Sequence, residues 1–298
     1  MRIHHSMLAF LLVLFAFGSF PTSAEAQESA ESRIRLITYN VWYGLTRVPD
    51  RKPDYLQWMD DQKPDIVSLQ ELNGYTEQKL AEDAESWGHP YSALLKTNGF
   101  PTGITSREPI EDIRRTLEGF HHGLLRVRIR GIYVYVIHLH PSNWETRISE
   151  AKRIVKDIES LPAGSKVILA GDFNTFSPAD ATYYQHGKLE PFFRERDQKN
   201  GEKNLRDGKL DFSVIERFKN FGLIDLEESK RGPGFTFSGS FPTKIEKPGD
   251  HGSARRLDYV FANKEIAERT TRAETIASDS TWVLSDHLPV IVELSLEQ

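Results

Sequence analysis

The sequence predicts a single domain of the mixed α/β or α+β class. Runs of apolar, β-branched residues recur along the chain, and segments with helical spacing of apolar residues lie between several of them. The chain has no internal repeat and no stretch with the composition of an interdomain linker. With 298 residues, 39% of them hydrophobic, it is long enough to bury a substantial core.

Six apolar runs are expected to form strands. The longest is interrupted by Arg130-Gly131, so it predicts two antiparallel strands joined by a turn. Arg126, Arg128 and Arg130 alternate along one face of it, and we expect that face to be solvated. The six runs cover residues 33–42, 65–72, 123–140, 166–173, 256–263 and 287–294.

Helices are predicted at 55–62, 76–87 and 144–161, where apolar residues recur at helical spacing. The polar and charged stretch at about 183–213 is only weakly periodic, which predicts a long surface excursion. Alternating phenylalanines at 234–237 predict a core strand. Helices and strands therefore alternate along much of the chain.

Residues 1–26 have the pattern of a secretory signal peptide. Arg2 supplies positive charge, residues 8–17 form an apolar core, and Ala24-Glu25-Ala26 is a small-x-small cleavage site. An uncleaved membrane anchor is the alternative, but the apolar run is short for a bilayer. We therefore expect cleavage after Ala26 and a mature domain at 27–298, exported to the periplasm, the cell surface or the medium.

Charge and cysteine content narrow the chemistry. The net charge of -5 gives no overall preference for a polyanionic partner, although bound cations or a local basic rim can override it. The absence of cysteine excludes thiol catalysis, cysteine-ligated zinc and iron–sulfur clusters. We expect a monomer that has no membrane span after cleavage.

Polar residues typical of metal and phosphate chemistry lie at or near the ends of these apolar runs. In chain order they are Asn40, Glu71, His138, His140, Asp172, Asn174, Asp258, Asp286 and His287. Each has a simpler explanation on its own, as a surface acid, a core histidine or a turn residue. Because strand ends cluster in a folded sheet, their joint occurrence predicts a single site.

The donor chemistry favours a hard divalent cation. Oxygen ligands such as Glu71 and Asp172 suit magnesium, manganese or calcium better than zinc. The sequence has no HExxH zinc motif, P-loop, GxSxG elbow or dinucleotide-binding fingerprint.

Taken in order, the motifs TYNVW, SLQEL, IHLHP, LAGDFNT, RLDYVFA and LSDHLPV resemble the endonuclease/exonuclease/phosphatase superfamily. This superfamily includes pancreatic-type deoxyribonuclease, AP endonucleases, bacterial sphingomyelinases and inositol polyphosphate 5-phosphatases. The resemblance runs from about residue 34 to 294. It implies a four-layer α/β/β/α sandwich, in which two packed mixed sheets are flanked by helices and the site lies at one edge of the sheets.

The resemblance also implies roles for the metal-binding side of the site. Glu71 matches the acid that binds the divalent cation directly. Asn40 matches an asparagine that holds the site through water or phosphate, and Asp286 matches a second acidic position near the metal. The implied cofactor is Mg²⁺, with Mn²⁺ and Ca²⁺ as alternatives.

Five further residues match the family's catalytic positions. Asp172 matches the acid that orients or deprotonates the attacking water, and Asn174 matches a side chain that helps to bind the phosphate. His287 matches the histidine that contacts the phosphate oxygens, and Asp258 the acid that orients it. His138 matches the histidine placed near the leaving group in the deoxyribonuclease and sphingomyelinase branches.

Other positions are less informative. AP endonucleases carry a tyrosine where this chain has His138, which argues against abasic-site repair. Arg147 is expected to be an exposed helix charge, and His140 is equally consistent with a structural and a supporting role. The 234–237 segment is not expected to be the exposed aromatic hairpin of membrane-acting sphingomyelinases.

The leading hypothesis is an exported metal-dependent phosphoesterase that hydrolyses phosphodiesters. Nucleic acid is the leading hypothesis for its substrate. A phospholipid, sphingomyelin or a soluble phosphomonoester is the alternative substrate. An inactive binding module is the third hypothesis, and the complete ligand set argues against it.

Overall fold

The computed structural model describes residues 33–184, 188–245 and 251–296. The predicted signal peptide at 1–26 and the predicted start of the mature domain lie outside the described residues. Within those three ranges, no helix combines the length and the apolar character needed to cross a bilayer.

Fourteen strands form the centre of the described chain. They are β1 (Arg33–Asn40), β2 (Ile66–Gln70), β3 (Tyr91–Leu94), β4 (Gly103–Ser106), β5 (Glu111–Thr116), β6 (Leu124–Ile129), β7 (Ile132–His138), β8 (Lys166–Asp172), β9 (Leu205–Arg206), β10 (Lys209–Leu210), β11 (Ile224–Asp225), β12 (Asp258–Ala262), β13 (Thr270–Thr275) and β14 (Val290–Ser295). Each of the six predicted runs contains at least one of them, and the turn at Arg130-Gly131 joins β6 to β7 as predicted.

The strands build two six-stranded mixed sheets and one small hairpin. The first sheet has the order β13-β14-β1-β2-β4-β3, and the second has the order β11-β12-β8-β7-β6-β5. The central pairs β1–β2 and β7–β8 are parallel, whereas their outer neighbours pair in the antiparallel sense. The two sheets therefore have the same internal arrangement.

The described α-helices are α1 (Lys52–Gln62), α2 (Glu77–Ser86), α3 (Trp144–Glu159), α4 (Ala181–Tyr184), α5 (Leu189–Asn200), α6 (Ser213–Asn220), α7 (Leu226–Lys230) and α8 (Lys264–Arg269). The three predicted helices correspond to α1, α2 and α3. Helices α1 and α2 cover the outer face of the first sheet, and α3 and α6 cover that of the second.

Alternation along the central strands explains the layers. Leu36 and Ile168 point into the core between the sheets, whereas their neighbours Ile37 and Leu169 pack against the outer helices. The structure thus confirms the α/β/β/α sandwich.

The stretch at 183–213, predicted to be a long surface excursion, contains α5 and the β9–β10 hairpin. The prediction for the 234–237 segment is wrong. The 234–237 segment is not a core strand: Phe235 and Phe237 are only partly buried in a loop, and Phe237 stacks on the half-exposed Tyr183 at 4.5 Å.

The arginine stripe on β6 is solvated only in part. Arg126 is buried because it forms ion pairs with Asp157 and Asp112, at 2.9 and 3.1 Å. Arg128 keeps to the predicted exposed position and pairs with Glu111. The burial of each arginine therefore depends on neighbouring carboxylates. The alternation pattern of the strand does not reveal these partners.

Gly171 allows β7 and β8 to approach closely next to the polar ends of both strands. Its φ of 152° favours glycine, and an added Cβ would lie 1.9 Å from the Ile137 carbonyl oxygen. The following residue pair, His138 and Asp172, is in direct register. Any side chain at Gly171 would force these two residues apart.

Gly171→Ala should lower the free energy of unfolding by about 3 kcal/mol or more, because the added methyl group overlaps backbone atoms that cannot move independently. Urea unfolding followed by tryptophan fluorescence measures this change. Gly131→Ala is the matched control: its φ is 77°, but nothing lies within 4 Å of its added Cβ. We expect that control to lose only about 1–2 kcal/mol, the cost of a left-handed backbone. Equal losses in the two variants would contradict the packing argument.

Candidate active site

The predicted polar residues meet at one edge of the two packed sheets. Asn40, His138 and Asp172 end parallel strands, and Asp258 begins β12 beside Asp172. In the second sheet, His138 pairs with Asp172, and Asp172 pairs with Asp258, so three functional side chains lie side by side. They continue the row of inward-facing apolar residues and therefore point between the sheets.

Asn40 connects the two sheets at this edge. Its Nδ2 donates hydrogen bonds to Glu71 Oε1 at 3.3 Å and to Asp172 Oδ2 at 3.1 Å. Its Oδ1 accepts from the Trp42 backbone nitrogen at 3.1 Å, which fixes the orientation of the amide. The nitrogen of Asn40 therefore faces the carboxylates, and a direct metal-ligand role would require the amide to turn over.

A left-handed turn after β1 holds the second carboxylate oxygen of Glu71. Trp42, Tyr43 and Glu71 all have positive φ angles, of 41°, 55° and 59°. This conformation is costly for residues other than glycine, and it lets the Tyr43 backbone nitrogen donate to Glu71 Oε2 at 3.0 Å. Glu71 thus has both carboxylate oxygens anchored.

His287 is oriented by Asp258, as predicted from the motifs. His287 Nδ1 lies 2.7 Å from Asp258 Oδ2, and both residues are buried. Burial alone would lower the pKa of His287, but the carboxylates of Asp258 and Asp172 outweigh it and raise the pKa to about 10. The ring is therefore an imidazolium at neutral pH.

Asp172 lies between two imidazoles. Its Oδ2 is 3.8 Å from His287 Nε2 and 3.8 Å from His138 Nε2. Desolvation raises the pKa of Asp172 to about 7, with further contributions from Asp258 and Glu71, and His287 opposes this rise. A carboxylate with such a pKa can exchange a proton near neutral pH.

His138 belongs to an aromatic wall that the sequence motifs do not indicate. Its ring stacks on His122 with centroids 4.0 Å apart, and Phe100 packs against His122 at 5.3 Å. Burial lowers the pKa of His138 well below its usual value and that of His122 to about 3. The sequence does contain the doublet His121-His122. It lies in a loop before β6, away from the strand-end motifs, so it gave no reason to place His122 in the site.

Asp172 and Asn174 form a turn as well as part of the site. Asn174 has a φ of 49°, and its backbone nitrogen donates to Asp172 Oδ1 at 2.8 Å. Its Nδ2 donates to the Leu139 carbonyl at 3.0 Å, and Phe173 between them packs into the outer core. Asp286 also lines the pocket, where its Oδ1 accepts a 3.3 Å hydrogen bond from Ser285.

The prediction for Arg147 is wrong, because this residue is only 1% exposed. It donates from Nη1 to the His140 carbonyl at 3.1 Å, and burial lowers its pKa to about 10. Glu150, one helical turn further on, accepts from the backbone nitrogens of His121 and His140. Helical spacing does not reveal that Arg147 and Glu150 face inward, where they bind the backbone of the loops that contain His121 and His140. The ring of His140 packs on His121, outside the carboxylate cluster.

The donor set fits a divalent cation. Within the described residues, the acidic and imidazole groups whose donor atoms lie within 4.8 Å of one another are Asp172, Asp258 and His287. Because His287 is protonated, the oxygens of Glu71, Asp172 and Asp258 are the better donors for a hard cation. Asp258 Oδ1 is buried without a hydrogen-bond partner in the described part of the chain, as expected of a group that awaits a ligand.

A pocket of about 280 Å³ opens onto these residues. One part of its lining carries Tyr43, Phe100, His122 and His138, and a second wall carries Phe193, Arg196, Phe241 and Arg255. The second wall comes from α5 and from loops rather than from the central strands. The sequence motifs did not indicate it.

Solved structures with this fold cover almost the whole described chain. An AP endonuclease from Archaeoglobus fulgidus is 18% identical, with a TM-score of 0.64 over 87% of this chain and 98% of that one. A 3′-5′ exonuclease from Neisseria meningitidis is 18% identical, with a TM-score of 0.65 over 88% of this chain and 100% of that one. A 3′ phosphatase from Neisseria bound to a product DNA hairpin is 18% identical, with a TM-score of 0.62 over 88% and 99%.

Such low identities show a common fold and nothing more. No curated protein matches the chain significantly. The family comparison is decisive, since residues 37–287 match the endonuclease/exonuclease/phosphatase family and so include every site residue described above. The chain therefore belongs to the endonuclease/exonuclease/phosphatase family.

Proposed function

We propose that this protein is a divalent-metal-dependent phosphoesterase that hydrolyses phosphodiester bonds, with nucleic acid as the substrate. The observation that carries the proposal is the position of Asp172, whose Oδ2 lies 3.8 Å from an imidazolium and 3.8 Å from a neutral imidazole. One carboxylate thus has a cationic donor on one side and an uncharged one on the other. A base for the attacking water, a donor to the phosphate oxygens and a donor to the departing oxygen each assist the hydrolysis of a phosphodiester.

Asp172 is proposed to accept the proton of the attacking water. Its pKa of about 7 matches this task, and general-base assistance typically contributes about 10²–10⁴-fold. Water adds to phosphorus while its proton passes to Asp172, the bond to the departing oxygen breaks, and that oxygen takes a proton from solvent water, so that a phosphate monoester and an alcohol result. His287, held by Asp258, donates to a phosphate oxygen and stabilises the charge there.

Glu71 is proposed to hold the cation, with Asp286 close to it. When bound, such an ion neutralises charge on the phosphate oxygens as a Lewis acid. The anchoring of both Glu71 oxygens, by Asn40 and by the Tyr43 backbone, orients this ligand before the ion binds. Mg²⁺ is the expected ion, with Mn²⁺ and Ca²⁺ as alternatives.

His138 is proposed to act at the leaving group. It lies on the side of Asp172 away from His287, and stacking on His122 fixes its ring plane. Burial keeps the ring neutral, so its contribution is a hydrogen bond to the departing oxygen rather than a full positive charge.

The named activities of similar structures support nucleic acid as the substrate, since they include an endonuclease and a 3′-5′ exonuclease. A lipid phosphodiester is the second candidate. The observation that favours it is the aromatic pair of Tyr183, 42% exposed, and Phe237, which could contact a lipid surface. Turnover of plasmid DNA, RNA, sphingomyelin and bis-p-nitrophenyl phosphate, each with magnesium, manganese and calcium, discriminates between the two.

We also propose that the mature domain is exported, because residues 1–26 have the pattern of a signal peptide. A monomer is the expected oligomeric state. We expect the purified exported protein to begin at Gln27. Intact-mass measurement of protein from the periplasm and from the medium checks this, and a full-length mass in the membrane fraction would overturn it.

Removing the carboxylates or the imidazolium should abolish most of the activity. We expect Glu71→Gln, Asp172→Asn and His287→Ala each to lower kcat/KM by about 10²-fold or more, because each removes charge that acts in the transition state. Initial rates on plasmid DNA measure the loss, and EDTA should have the same effect until Mg²⁺ is restored. Glu268→Gln, an exposed acid on α8, is the matched control and should retain full activity. Activity that survives chelation would refute the proposal.

The role of His138 predicts a dependence on the leaving group. His138→Ala should slow the cleavage of a dinucleotide, whose alkoxide is a poor leaving group, by about 10²-fold or more. It should slow bis-p-nitrophenyl phosphate much less, because nitrophenolate departs without help. Steady-state rates on both substrates give the comparison, and equal losses would remove His138 from this role.

A further inference from the structure

The second pocket wall, formed by Phe193, Arg196, Phe241 and Arg255, contains a buried cation that the proposed chemistry does not use. Arg255 lines the pocket and is only 5% exposed. Its Nη1 donates to the backbone carbonyls of His251 and Ser253, and its Nε is buried without a hydrogen-bond partner among the described residues. The guanidinium is therefore only partly satisfied.

The charge of Arg255 has no ion-pair partner among the described residues. Its guanidinium also lies near the rings of Phe241, Phe193 and Phe192, at 4.6, 5.3 and 5.8 Å. Cation–π contacts offset only part of the cost of burying a charge. Burial and the nearby Arg196 lower the pKa of Arg255 to about 9, although it remains protonated at neutral pH.

The adjacent arginine, Arg256, is a buried charge that ion pairs within the protein neutralise. Arg256 is also buried, but it forms ion pairs with Asp180 at 2.8 Å and with Asp225 at 2.7 Å. Its charge is fully balanced inside the protein. Arg255 lines the pocket instead, and none of the described carboxylates forms an ion pair with it, so an anionic ligand in the pocket would meet an unpaired guanidinium.

Arg255 lies next to the catalytic cluster. The Phe241 ring packs on the His287 ring at 4.7 Å and beneath the Arg255 guanidinium at 4.6 Å. One aromatic ring thus separates this cation from the imidazolium that is proposed to bind the cleaved phosphate. Arg196 lines the same wall, but Glu202 already binds it through two hydrogen bonds.

We propose that Arg255 forms a second anion subsite, which binds the phosphate adjacent to the scissile one in a nucleotide chain. The inference rests on the proposed function and assigns its substrate class, a nucleotide that carries at least two phosphates. A guanidinium suits this role because it can donate two parallel hydrogen bonds to one phosphate. Successive phosphates of a nucleotide chain are separated by one sugar, and the Phe241 ring separates the two cations, at 4.7 Å from the His287 ring and 4.6 Å from the Arg255 guanidinium.

The test compares thymidylyl-thymidine, which has one phosphate, with the same dinucleotide phosphorylated at its 5′ or its 3′ end. For the natural protein we expect one phosphorylated form to show a kcat/KM higher on the order of 10-fold. Arg255→Gln should reduce this preference towards one, and Arg255→Lys should retain part of it. Arg128→Gln, which removes an exposed arginine on β6, is the control and should keep both the rate and the preference. No preference in the natural protein, or its survival in Arg255→Gln, would overturn the inference.

A binding measurement covers the case in which Arg255→Gln does not fold or no dinucleotide is cleaved. Calorimetry should show that thymidine 3′,5′-bisphosphate binds the natural protein on the order of 10-fold more tightly than either thymidine monophosphate, and that Arg255→Lys keeps only part of this difference. Equal affinities would refute the subsite. If the bisphosphate binds more tightly but no dinucleotide is cleaved, the anion subsite stands and the nuclease proposal fails.

Discussion

Repulsion among three carboxylates is the constraint on which this site depends. Glu71, Asp172 and Asp258 converge at the edge of the sheets, where burial weakens the screening by water. The Asn40 amide and the His287 imidazolium balance part of this charge, while desolvation, Asp258 and Glu71 raise the pKa of Asp172. A divalent cation, if bound here as proposed, would offset the remaining negative charge.

The fold produces this concentration of charge in a simple way. Both parallel strand pairs end at the same edge, and the inward-facing row of each strand changes there from apolar to polar. Ser68 and Ser285 strengthen the junction through hydrogen bonds to the carbonyls of Ala170 and Asn40, at 3.1 and 2.6 Å. Gly171 keeps β7 and β8 close enough for their terminal side chains to meet.

The sequence was informative where burial is strongest. The central strands are continuous apolar runs in the sequence, so their ends could be located. Asn40, Asp172 and Asp258 lie at those ends and could therefore be assigned to the site. Edge strands such as β5, with the sequence EDIRRT, carry little apolar signal because they are exposed. His122 and Arg147 could not be predicted, since their burial depends on stacking with His138 and on a distant carbonyl.

Arg255 and Arg256 show the limit of local sequence most clearly. They are adjacent and chemically identical, yet one is neutralised by Asp180 and Asp225 and the other faces the pocket. The difference arises from loops and from α5, which vary more freely than the central strands. The family motifs lie at the strand ends, whereas the second pocket wall, which we propose to contribute to substrate choice, lies outside them. If Arg255 binds a second phosphate, the choice among phosphodiesters is made on that wall and not at the catalytic carboxylates.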